Sequence, residues 1–72
     1  MTKDLQPHQQ RVVDEKTELD VKISKLTMFI GFGPIFETLG HEEQGRLRRQ
    51  RDIMWQYSEI LGDRIAAFEG DK

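Results

Sequence analysis

The sequence contains no cysteine, so no disulfide framework can hold its 72 residues together. Its two histidines, His8 and His41, lie far apart in the chain with no thiol between them, which matches no structural zinc spacing. Chains this short need disulfides, a metal, very regular helices or self-association to be stable. Regular helices and association are therefore the expected sources of stability.

A basic surplus and long apolar runs are also missing. The formal net charge is -2, whereas a general nucleic-acid binder normally carries excess positive charge to neutralise phosphates. This balance argues against DNA as a partner and against a DNA-associated role. No apolar run approaches the ~20 residues that a membrane span requires, and no signal-peptide pattern opens the chain. We therefore expect a soluble, cytoplasmic protein with no membrane partner.

Signatures of catalysis are absent as well. The glycine-rich segment 31–34 has neither the GxGxxG pattern nor the lysine of a P-loop, and no strand precedes it. The carboxylate pairs Asp14/Glu15 and Glu42/Glu43 point to different helix faces and provide no general acid and base around a cleft. We expect no enzyme, no cofactor and no metal site.

What the chain does contain is two long amphipathic segments, residues 7–30 and 42–69. Apolar residues recur in both at helical spacing, so each predicts one long α-helix. The seam of the first segment has one polar member, Lys16, and consists of Val12, Lys16, Leu19, Ile23, Leu26 and Ile30. The stripe of the second consists of Leu47, Met54, Tyr57, Leu61, Ile65 and Phe68.

The segment between the two helices, residues 31–41, predicts a tight connection. Gly31, Gly33 and Pro34 end the first helix, because glycine tolerates unusual backbone angles and proline cannot continue the hydrogen-bond ladder. A single helical turn is expected from Pro34 to Leu39. With residues 1–6 as a short leader, the prediction is an all-α, antiparallel hairpin of two long helices that forms one domain, residues 1–72.

The apolar surface of this hairpin exceeds what one copy can bury. Ile53 and Ile60 broaden the stripe of the second helix beyond a seam between two helices. A stripe of that width fits two partners, the first helix and a second copy of the chain. We therefore predict a homo-oligomeric helical bundle. Gly62 favours a close helix contact at its position, because glycine otherwise costs about 1 kcal/mol relative to alanine inside a helix.

Four arginines cluster near the start of the second helix, where backbone amides already attract anions. The functional interpretation is a clamp for phosphate or carboxylate groups. The alternative is ordinary surface charge, partly neutralised by Glu42 and Asp52, since charged runs on helices usually face solvent. The candidate ligand-binding arginines are Arg46, Arg48, Arg49 and Arg51.

Trp55 is the second candidate, because it falls to one side of the apolar stripe, on the same side as Arg48 and Arg51. It can stack a nucleobase while the arginines hold phosphates, or it can anchor a protein interface or a contact between copies. Phe32 and Phe36 in the connecting segment are candidates for a protein interface, because loops on rigid scaffolds often carry recognition. With Trp55, Ile53 and Ile60 they make up the predicted partner surface.

Two segments carry a family resemblance, HQQRVVDEKTELDVKISKLTMFI at 8–30 and EEQGRLRRQRDIMWQYSEILGDRIAAF at 42–68. They resemble a widespread family of small uncharacterised proteins of tailed phages and prophages, related to a crAss-like phage protein. The resemblance implies an accessory protein in the cytoplasm of an infected bacterium that counteracts host defence. The architecture is also similar to the anti-CBASS and anti-Thoeris helical hairpins, which implies an oligomer that sequesters a signalling nucleotide.

Two functional hypotheses therefore remain. In the first, a homo-oligomer binds and sequesters a small anionic ligand, such as a nucleotide second messenger, through Arg48, Arg51 and Trp55. In the second, the chain inhibits a host defence or replication protein, for instance of a CRISPR-type system, through Trp55 and the connecting segment.

Overall fold

The computed structural model describes residues 5–70, with side chains for residues 5–68. Two long helices, α1 (Pro7–Phe32) and α2 (His41–Gly70), flank a short 3₁₀ turn (Phe36–Thr38). The helices pack against each other as an antiparallel hairpin with extents of 50 × 17 × 17 Å, and no strand occurs in the described part of the chain. The predicted all-α hairpin is confirmed. Most of the predicted leader, residues 1–4, lies outside the described residues.

Local chemistry explains where α1 begins and ends. Pro7 occupies the first turn, where its missing N–H is not needed, and the Gln6 backbone N–H donates to Gln9 Oε1 at 2.9 Å. At the other end the Gly33 N–H donates to the carbonyl of Phe29 at 3.1 Å. A Cβ at Gly33 would lie 2.6 Å from that same oxygen, so a larger residue does not fit without a shift of the backbone.

The connection between the helices is held by a side chain from α2. Gln44 Nε2 donates to the carbonyl oxygens of Phe36 and Leu39, each at 3.0 Å. The Phe36 carbonyl also accepts from the Leu39 N–H at 3.1 Å, so the Gln44 amide adds a second bond there and supplies the Leu39 carbonyl with a partner. The first turn of α2, which carries Gln44, therefore fixes the conformation of the segment that precedes it.

Phe36 was predicted to face a protein partner, but the structure buries it. Its side chain is only 3% exposed, and its ring meets Phe29 edge to face with centroids 6.1 Å apart. Arg48 covers the ring with its guanidinium carbon 5.1 Å from the centroid, a cation–π contact. Phe36 therefore belongs to the core at the closed end of the hairpin and does not offer its ring to a partner.

The interface between the helices follows the predicted seam except at Tyr57, which the sequence placed in the stripe of α2 but which is 39% exposed. Val12 and Ile23 of α1 are buried, Leu61 of α2 is fully buried, and other seam positions, such as Leu19, are half-buried. A larger set of apolar side chains stays exposed in the single copy. This set comprises Val21, Met28, Phe32, Ile35, Ile53, Trp55, Tyr57 and Ile60.

Neither long helix has the length of apolar sequence needed to cross a membrane, judged over the described residues.

Candidate ligand-binding groove

An elongated groove runs between α1 and α2 on one side of the hairpin. Its volume is about 610 Å³, and its lining is mostly apolar with a few polar groups. We call it the central groove. Its lining residues are Lys16, Asp20, Ile23, Ser24, Thr27 and Met28 of α1, and Trp55, Ser58, Glu59 and Gly62 of α2.

Three polar side chains form a closed hydrogen-bonded triangle in this groove. Lys16 Nζ donates to Asp20 Oδ2 and to Ser58 Oγ, both at 2.9 Å. Ser58 Oγ in turn donates to Asp20 Oδ1 at 2.5 Å. Lys16 and Asp20 face each other because they lie four residues apart on α1, and Ser58 reaches them from α2. The triangle therefore ties the two helices together and places a carboxylate at a fixed point in the groove.

The hydrogen bonds of the triangle stabilise the charged form of the Asp20 carboxylate. The hydrogen bond from Lys16, followed by that from Ser58, lowers the pKa of Asp20 below its ordinary value. Asp20 is thus an anion, and it accepts hydrogen bonds but does not donate them. Its side chain remains 47% exposed, so its remaining acceptor positions are open to solvent or to a ligand.

The floor and rim of the groove are formed by small and aromatic residues. A Cβ added at Gly62 would lie 3.4 Å from Lys16 Cε, so the lysine stem runs directly across this glycine. The close contact predicted at Gly62 is therefore a contact with a side chain. Trp55 stands at the rim with 58% of its surface exposed, and much of its indole is available to stack on a flat ligand.

The predicted arginine cluster is divided by the structure. Arg48 lies over Phe36, and Arg51 contacts its neighbour Asp52 at 3.3 Å. Neither lines the central groove. Both lie on the same side of α2 as Trp55, Arg51 four residues before it and Arg48 seven. They therefore flank the groove toward the closed end of the hairpin and are not inside it.

The other two arginines belong to a different surface. Arg46 and Arg49 line a shallow concavity of about 350 Å³ at the start of α2, together with His41, Glu42 and Gly45. Arg46 pairs with Glu43 at 2.8 Å, whereas the sequence suggested Glu42 as its neutralising neighbour. The predicted site is thus resolved into two separate surfaces, and Trp55 belongs only to the central groove.

The predicted partner residues also occupy different surfaces. Phe32 is 84% exposed at the end of α1, which suits a contact with another molecule. Ile53 and Ile60 are more than half exposed on the side of α2 that faces away from the central groove. Tyr57 lies between them and donates a hydrogen bond to the carboxylate of Glu15 on α1.

Comparison with known families places the chain. The family model of Sequestin matches residues 6–67, which include both ends of the connecting segment and all residues of the central groove. The chain belongs to the Sequestin family. No curated protein and no solved structure matches it. The name Sequestin points to sequestration, which is consistent with the small sponge proteins that the architecture resembles. The phage family that the sequence resembles stays a prediction.

Asp20 and Ser58 line the central groove of this Sequestin family member, but the sequence analysis did not identify them as site residues. Lys16 was placed in the seam only as its polar member. The one local signal was the spacing of Lys16 and Asp20, four residues apart on α1, which places an opposite charge beside the lysine. No cluster of three His, Asp or Glu side chains suited to a metal ion occurs among residues 5–68.

Proposed function

We propose that this protein is a non-enzymatic phage accessory protein that counteracts bacterial defence by sequestering a small anionic ligand of the nucleotide type. It does so in the cytoplasm of the infected host and as a homo-oligomer. The observation that carries the proposal is the central groove with Trp55 at its rim. Its volume of about 610 Å³ lies within the range of about 300 to 1,000 Å³ that is usual for small-molecule sites.

The surroundings of the groove supply the features that a nucleotide needs. Trp55 provides a flat aromatic surface for a base, and base stacking on aromatic side chains is a recurrent mode of recognition. Arg51 lies one helical turn before Trp55 and Arg48 two turns before it, on the same side of α2. Their guanidinium groups suit phosphate, which they can bind with two parallel hydrogen bonds. The family name supports sequestration as the outcome of such binding.

Isothermal titration calorimetry against a panel of cyclic nucleotides and ADP-ribose-type molecules tests this proposal. We expect one or more of them to bind the wild-type protein, and Arg48→Ala combined with Arg51→Ala to weaken that binding at least tenfold. The reason is that each lost charge-assisted hydrogen bond contributes about 1.5 kcal/mol or more.

Arg46→Ala combined with Arg49→Ala is the matched control, because it removes the same charge from the other surface of α2. This control should retain wild-type affinity. Absence of binding across the panel, or equal loss in both double variants, would contradict the proposal.

The high exposure of Phe32 favours a second candidate, inhibition of a host defence or replication protein through Phe32 and Trp55. Exposed aromatic residues are frequent anchors in protein interfaces. A stoichiometric host protein that is captured by the wild type and lost with Phe32→Ala would favour this candidate, because Phe32 does not line the central groove.

A further inference from the structure

We infer that Asp20 selects the ligand by accepting hydrogen bonds from a neutral donor group, either a ribose diol or an exocyclic amine, while phosphate stays outside the central groove. This inference deepens the proposed function and rests on it for the class of ligand. Asp20 becomes the specificity-determining residue, and Arg51 and Arg48 are left to bind the charged part.

The charge balance of the groove carries the first step. Among its lining residues Lys16 is the cation, and Asp20 and Glu59 are carboxylates, so the lining has net negative charge. The Lys16 charge is also already engaged by Asp20 at 2.9 Å. A phosphate placed here would face two carboxylates, and like charges at short range are unfavourable. The inner part of the groove therefore suits an uncharged portion of the ligand.

The hydrogen-bonding capacity of Asp20 carries the second step. A carboxylate offers about four acceptor positions. Two of them are used, one by Lys16 and one by Ser58. The others have no competing use in the triangle, and the side chain is 47% exposed. Lys16 and Ser58 fix the direction of these free positions, so Asp20 is prepared for a donor before any ligand arrives.

The position of Trp55 carries the third step. Trp55 and Asp20 both line the central groove, one from each helix. A planar ring stacked on the indole would bring a donor-bearing edge, or an attached sugar, toward Asp20. The sequence spacing keeps Arg51 and Arg48 beyond Trp55, away from Ser58 and Gly62. The geometry thus separates a neutral end of the ligand from its charged end.

The test uses the chain's single tryptophan as the reporter. Adenosine, which is neutral and carries both donor groups, is titrated while the emission of Trp55 is recorded. We expect millimolar adenosine to change this emission, and Asp20→Asn to weaken the binding about tenfold or more, the usual loss for a hydrogen bond to a charged group. Asp63→Asn is the matched control, because it makes the same chemical change at an exposed position of α2 that does not line the groove. It should leave adenosine affinity unchanged.

Two analogues identify the donor. Weaker binding of 2′-deoxyadenosine than of adenosine would assign Asp20 to the ribose diol, and weaker binding of inosine would assign it to the amine. In Asp20→Asn adenosine and that analogue should bind measurably and with equal affinity, whereas a general loss of fold would abolish the binding of both. Far-UV circular dichroism of each variant verifies that the helices persist.

The opposing results are equally clear. If phosphate enters the groove, Asp20→Asn should bind AMP more tightly than the wild type, because a repulsive charge is gone, and the inference is then wrong. It is also wrong if adenosine leaves Trp55 emission unchanged, or if both analogues bind as adenosine does. Asp20-dependent binding of adenosine without binding of any nucleotide would instead overturn the proposed sequestration of an anionic ligand and leave the role of Asp20 intact.

Discussion

At the scale of single residues, the triangle of Lys16, Asp20 and Ser58 is the feature that links stability to the candidate site. Ser58 is only 8% exposed, so its hydroxyl needs partners inside the protein. Leaving such a group unpaired costs about 1 to 3 kcal/mol. The same contacts that satisfy Ser58 also hold the Asp20 carboxylate in place, so the hairpin and its groove depend on one set of hydrogen bonds.

This arrangement predicts a dependence of stability on pH. The pKa of Asp20 is lower in the folded protein than in the unfolded chain, because Lys16 and Ser58 stabilise the carboxylate. The stabilisation is therefore complete above the unfolded value of about 3.9 and is lost as the pH falls through the folded value. Thermal melts between about pH 5 and pH 2 should show a steeper decline for the wild type than for Asp20→Asn. Asp63→Asn, at an exposed position, should follow the wild type, and identical slopes for all three would contradict the prediction.

Sequence patterns predicted some of these residues and not others. Trp55 could be placed because its angle on a helix follows from spacing alone. The contact between Arg48 and Phe36 could not be predicted in this way, because it forms only when the connecting segment folds back over α2. The pairing of Lys16 with Ser58 joins positions that are 42 residues apart, so it depends on the register between the helices, which spacing within one helix does not define.

At the scale of secondary-structure elements, the two helices were predictable, and so was the single turn between them, expected within 34–39 and found at Phe36–Thr38. The contacts that hold this connection were not predictable. The predicted segments 7–30 and 42–69 differ from α1 and α2 by at most two residues at each end. Gly31 was expected to stop α1, but a single glycine in a last turn is tolerated. The helix continues to Phe32 and ends before Gly33. At Gly33 the backbone lies so close to the carbonyl oxygen of Phe29 that a Cβ would be 2.6 Å from it.

Glycine substitutions test this distinction. Gly33→Ala should lower the melting temperature, because its Cβ would meet the backbone oxygen of Phe29 at 2.6 Å. Gly45→Ala is the matched control inside α2, since a Cβ there has nothing within 4 Å. It should stabilise the protein by up to about 1 kcal/mol through helix propensity. Differential scanning calorimetry that finds the same sign for both substitutions would contradict the assignment of Gly33.

At the scale of the whole molecule, the single copy leaves apolar surface on both sides. Trp55 and Met28 border the central groove, whereas Ile53, Tyr57 and Ile60 form a separate strip along α2. These three residues recur at spacings of four and three, the pattern of a helical packing seam. Helical spacing in the sequence already named Ile53 and Ile60, and the structure adds Tyr57 and shows that all three are exposed.

We predict that this strip is the contact between copies of the chain. Replacing Ile53 and Ile60 together with arginine should convert the oligomer to a folded monomer, because charges at the centre of an apolar interface are not tolerated. Size-exclusion chromatography with light scattering at micromolar concentration measures this change. Val21→Arg, an exposed apolar position on α1, should leave the assembly intact. A wild-type protein that is already monomeric would contradict the prediction.

The position of the triangle along the hairpin determines which protein groups, side chains or backbone amides, can contact a ligand in the central groove. Lys16, Asp20 and Ser58 each lie more than two turns from both ends of their helices. The field of a helix dipole fades within its first and last turns, and interior amides are occupied by the helix itself. Recognition in the groove thus depends on side chains and not on the main chain. Such a surface can change its preference through one or two substitutions while the helical scaffold stays the same.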